Sequence, residues 1–95
     1  MKTSLFSIYD SKAKAYLRPF HAHNSATAIR DIKTCLTDKN HQFTQNPGDY
    51  TLFELGEFDD QSGTHTDHSK IINHGVLTTH LPLPVNPDQD LQPRS

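Results

Sequence analysis

One helix is the strongest constraint the sequence places on the fold. Asn24-Ser25 offers N-cap oxygens to a helix running to about Asp38. Ile29, Ile32 and Leu36 recur at i, i+3 and i+7, and Ala28 and Cys35 widen the stripe. Arg30, Lys33 and Thr37 fall mainly on the opposite side. A helix with one apolar face needs an apolar layer to cover it, and the other apolar residues of the chain lie in strand-like runs.

Lys2–Asp10 contains Leu5, Phe6, Ile8 and Tyr9 and reads as a strand closed by Asp10-Ser11. Residues 13–22 read as a second extended segment. Ala13, Ala15 and Leu17 share one face of it, and Lys12, Lys14, Tyr16, Arg18 and Phe20 share the other. Pro19 has no N–H to give a ladder, so this strand lies at an edge or ends there. After Asn46-Pro47-Gly48-Asp49, a strong turn signal, Tyr50–Phe58 reads as a strand with apolar residues on both faces. Asp59–Gly63 makes a hairpin loop. A weaker strand follows within 64–72, and a turn is expected at Asn73-His74-Gly75.

The expected architecture is α+β: an antiparallel sheet of three to four strands with one amphipathic helix on a single face. Residues 1–80 form one domain. Residues 81–95 hold four of the six prolines and read as an extended or disordered tail. The second sheet face then needs cover from the tail, a ligand or a second copy, and so small a core favours homo-oligomerisation.

Composition narrows the function classes. Cys35 is the lone cysteine and cannot close an internal disulfide, which points to a reducing compartment. The first residues lack the apolar core of a signal peptide, and no run approaches the ~18 residues of a membrane span. The formal charge of −2 is unevenly spread: residues 1–43 carry seven Lys/Arg against three Asp, and residues 44–95 carry two against eight Asp/Glu. A basic half on a mildly acidic molecule suits local contact with a polyanion.

Three stretches in order carry a family likeness: Ser7-Ile8-Tyr9-Asp10-Ser11-Lys12-Ala13; Pro19-Phe20 followed by Ala22, Asn24 and Ala28-Ile29-Arg30; and Leu55–Gly63. With the turn at Asn46–Tyr50, they resemble the small non-structural protein of gokushoviruses, single-stranded DNA phages of the Microviridae. The resemblance covers about residues 5–63. It implies a non-enzymatic accessory role in viral DNA replication in the host cell cytoplasm. It supplies no catalytic residues and does not extend to the histidines at 65–80.

The expected nucleic-acid surface is the polar face of the second strand, Lys12, Lys14, Tyr16, Arg18 and Phe20, extended by Arg30 and Lys33 of the helix. Basic side chains there would follow phosphates while a ring stacks on a base. The bland counterpart is a solvated edge guarded by lysines. The other reading of the whole chain is an adaptor that docks on the phage replication initiator or a host replication protein without touching DNA.

Seven histidines raise the question of metal, but no cysteine pair supports them and His65–His80 reads as loop-rich, so no metal or other cofactor is expected. His21-Ala22-His23 matches the His–apolar–His element of rolling-circle nicking enzymes, but the helix bears no tyrosine nucleophile. Asp59 and Asp60 suit a turn, and Cys35 sits at the core edge of the helix. No phosphate loop or nucleophile elbow is present, and the chain reads as a binder with no catalytic residue.

Overall fold

The computed structural model describes residues 1–81. The chain runs β1 (Lys2–Asp10), β2 (Ala15–Tyr16), β3 (Phe20–Ala22), α1 (Ser25–Leu36), a short α2 (Gln42–Gln45), a 3-10 turn at Pro47–Asp49, β4 (Tyr50–Asp59), β5 (Thr64–Val76) and a second 3-10 turn at Leu77–His80. The strands form one antiparallel sheet in the order β2-β1-β4-β5, and β3 pairs with β1 further along the edge that β2 begins. The expected α+β layering of a curled sheet with one main helix is present. The tail assigned to 81–95 lies, beyond Leu81, outside the described residues.

The helix forms as its caps dictate. The Asn24 side chain accepts the Thr27 N–H at 2.9 Å, and Ala28, Ile32 and Leu36 turn inward. They close over Phe6 and Ile8 of β1 and Leu52 of β4, with Ala22, Phe43 and Leu77 completing the core. Phe6, Leu52 and Leu77 have no exposed surface. Within the polar stretch 39–49, α2 contributes Phe43, whose ring packs on Tyr50 at 4.9 Å.

Two elements differ from the sequence reading. The second strand is broken. Residues 11–14 form a turn in which the Asp10 carboxylate accepts the N–H groups of Lys12 and Ala13, and Lys14 sits in the left-handed region at φ 56°. Residues 17–19 then leave the ladder, held only by Leu17 N–H to the Ile8 carbonyl and by Ser7 Oγ–H to the Leu17 carbonyl. The register slips by one residue across this gap: Tyr9 faces Tyr16, but Leu5 faces His21 rather than Phe20. A slip of one residue exchanges the two faces of a strand.

The last strand is longer than expected and passes through Asn73-His74-Gly75. It does so by bulging. Glu54 pairs with Ile72 and Gly56 with Asp67, so residues 68–71 stand opposite Leu55 alone. A smaller irregularity leaves His74 as an extra residue between Asn73 and Gly75, with Gly75 at φ 108°.

Candidate nucleic-acid interface

Strand parity sends Phe6 and Ile8 to the helix, and therefore Ser7 and Tyr9 to the opposite face. On that face, which α1 leaves uncovered although Leu5 and Ser7 within it are buried, Tyr9 of β1, Tyr16 of β2 and Phe53 of β4 gather into one aromatic group. The Tyr9 and Tyr16 rings lie 4.8 Å apart, and Tyr16 meets Phe53 edge-on at 5.7 Å. Tyr16 is 47% exposed. The turn carrying Lys12 and Lys14, both exposed, leads directly into Tyr16.

Further along the same face His21, Phe58 and His65 form a second group, with His21 edge-on to Phe58 at 5.6 Å. The His21-Ala22-His23 stretch thus sits on a sheet edge beside an aromatic ring. Among the described residues, no three His, Cys, Asp or Glu side chains are arranged to hold a metal ion.

Only part of the surface expected from sequence is brought together. Lys12, Lys14 and Tyr16 are neighbours, though the lysines stand on a turn and not on a strand face. The slip carries Phe20 to the opposite side, where its half-buried ring stacks on Phe6 at 5.8 Å with 26° between the planes. Arg18 is exposed beside Asp31 and Cys35 at the helix layer. Arg30 and Lys33 are exposed on α1, which covers the face away from Tyr16. These last four residues therefore do not share the surface of Tyr16. Tyr9 and Phe53 were missed. Their signal was present as parity, since each follows or precedes by one a residue of the core stripe.

The histidines at 68–80 belong to a separate cluster on the helix side. Glu54 projects to that side at the point where both irregularities of β5 converge. Its carboxylate oxygens meet His68 Nε2 at 2.7 Å and His74 Nε2 at 3.0 Å, and His80 Nε2 meets the His74 carbonyl at 2.9 Å. The His74 ring also lies 5.9 Å from that of Phe6. Partial burial pushes the Glu54 carboxyl up, but hydrogen bonds from His74 and His68, with their positive charge when protonated, hold it below the usual glutamate range. The extra residues of β5 are thus pinned to β4 by one carboxylate. The reading of 65–80 as loop-rich is corrected accordingly.

One family model, described as Phage ORF5 protein, matches residues 3–77. No curated protein and no solved structure is significantly similar to the chain. The match takes in all of the sheet but Lys2 at the start of β1, with the helix and both groups on the uncovered face. Among the described residues, no helix is long and apolar enough to cross a membrane.

Proposed function

The chain belongs to the Phage ORF5 protein family, and from that premise we propose that it binds single-stranded DNA on the uncovered face of its sheet. The observation that carries this reading is the aromatic group of exposed Tyr16 with half-buried Tyr9 and Phe53, set against the turn that bears Lys12 and Lys14. Rings on an open sheet offer π-faces on which unpaired bases stack, whatever their sequence, and neighbouring ammonium groups neutralise the phosphates that follow. A duplex keeps its bases stacked on each other, so it cannot use such a platform.

The resemblance to gokushovirus non-structural proteins supports a role in phage DNA replication, in the host cell cytoplasm and without catalysis by the chain itself. With two lysines at the platform and a formal charge of −2, binding is modest and salt-dependent. The test is a salt titration with fluorescently labelled single- and double-stranded oligonucleotides of one sequence. Preference for the single strand, with Tyr fluorescence quenched on binding, is the expected result. Absence of binding at low salt would leave the adaptor reading, in which the contacts are made with a replication protein.

A further inference from the structure

We propose that the chain assembles head to tail with further copies of itself, the bulge of β5 on one copy entering an apolar cleft at the opposite sheet edge of the next. The bulge presents Lys70 and Ile71 at the free edge of β5, and Ile72, where the strand rejoins the ladder opposite Glu54, follows directly. Ile71 is 38% and Ile72 44% exposed, adjacent large aliphatic side chains on the surface of a domain with few apolar residues to spare. The knob has a built base, since His68 and His74, one on either side of it, both bind the Glu54 carboxylate. A bulge ordinarily blunts an edge strand. This one also puts apolar surface forward, which is the mark of a contact site.

A matching recess lies at the other edge. Ile8, Leu17, Phe20, Ile32, Cys35 and Phe43 line an apolar cleft of about 240 Å³, enough for one or two branched aliphatic side chains. It opens because residues 17–19 leave the ladder and expose the seam between sheet and helix. Two charged side chains, Arg18 and Asp31, stand exposed at its mouth, and neither forms an ion pair among the described residues. The knob carries the complementary pair. Lys70 precedes Ile71, and Asp67 stands three residues earlier, 86% exposed and only 3.7 Å from His65 at its nearest ion-pair contact. Lys70 can thus meet Asp31 while Asp67 meets Arg18, with the isoleucines between them.

Because β5 and the β2–β3 line are opposite edges of the sheet, the contact joins unlike surfaces. Such an interface propagates into chains or closes into rings. It uses neither Tyr16 nor Lys12 and Lys14, so it stands or fails independently of DNA binding.

The test uses the full chain in three forms: wild type, the knob variant Ile71→Asp/Ile72→Asp, and the mouth variant Arg18→Glu/Asp31→Lys, all changed at exposed positions and checked for folding by circular dichroism. Light scattering from micromolar to millimolar concentration should show wild-type mass rising past that of a dimer, with each variant monomeric. An equimolar mixture of the two variants should give a heterodimer, because one intact knob and one intact cleft remain. Cys35 alkylation should slow several-fold as wild-type concentration rises and stay constant in the knob variant. A wild type that remains monomeric or stops at a dimer, or variants that assemble like wild type, would overturn the proposal. So would a mixture that stays monomeric, or Cys35 protection independent of concentration, which would place another occupant such as residues 82–95 in the cleft.

Discussion

The two faces of the sheet are built from alternate residues of the same strands, yet they meet opposite fates. Phe6, Ile8 and Leu52 turn toward α1 and are buried, whereas Tyr9, Tyr16 and Phe53 turn away and keep part of their rings in solvent. Side-chain type does not separate the two sets, since both contain large rings. Coverage does. One helix of 12 residues can close one face, so the rings on the other must be explained by something besides the core. Mutation should separate the faces. Leu52→Ala should cost about 2–5 kcal/mol by chemical denaturation, through lost transfer energy and a cavity. Tyr16→Ala, on a half-exposed edge, should cost much less. Equal losses would mean that the outer rings are structural and the distinction between faces is false.

Gly56 tests how the long hairpin is held. A Cβ there would lie 2.3 Å from the Thr66 carbonyl oxygen and 3.0 Å from Asp67 Cα, both backbone atoms that cannot swing aside. The close approach comes at the last paired position of β5 before it leaves the ladder for its bulge. Gly56→Ala should therefore destabilise by about 2–3 kcal/mol through overpacking, read as a lowered denaturation midpoint. Gly63→Ala, with open space around it but φ at 71°, isolates backbone strain for comparison and should cost less.

How far the sequence foretold this division depends on which interaction fixed each element. The helix, β1 and the start of the hairpin follow from local signals: the Asn24 cap, the i, i+3, i+7 stripe, and Asp59–Gly63. The aromatic platform was half legible, because Tyr16 was singled out while Tyr9 and Phe53 needed the parity of β1 and β4 to be read against the core. Phe20 went to the wrong face because a register slip leaves no local trace beyond Pro19, and it depends on Ser7 Oγ bonding a carbonyl ten residues away. The bulge of β5 was illegible for a related reason. Asn73-His74-Gly75 has the composition of a turn, but Glu54, twenty residues before His74, holds that segment in the sheet.

Glu54 should reveal itself through pH. Its carboxyl is depressed in the folded chain, so the unfolded state binds protons more tightly and stability is lost on acidification. The contribution is complete above the unfolded value of about 4.3 and disappears as pH falls through the lower folded value. Hydrogen bonds to a charged acceptor contribute about 1.5–3 kcal/mol net of competition with water, and partial solvent access places these at the low end. Glu54→Gln should therefore lower stability at pH 7 by roughly 1–2 kcal/mol. Its pH-stability curve should merge with that of wild type at the acid end. A constant gap at every pH would assign the loss to packing and not to the carboxylate.

The remaining effects are on binding at the uncovered face, and they divide its rings from its charges. Tyr16→Ala should weaken single-strand binding by about 1–3 kcal/mol, the usual value of one stacked base, and leave the salt slope unchanged. Lys12→Ala/Lys14→Ala should do the reverse. Two phosphate contacts contribute a slope of about −1.4 in log affinity against log salt for a single strand, so the double variant should flatten the plot by about that amount. Because the lysines sit on a turn shaped by Asp10 and not on a strand, their removal disturbs no ladder, and the loss should shrink toward nothing at high salt. A slope unchanged by the double variant would take the turn out of the binding surface and leave the rings to act alone.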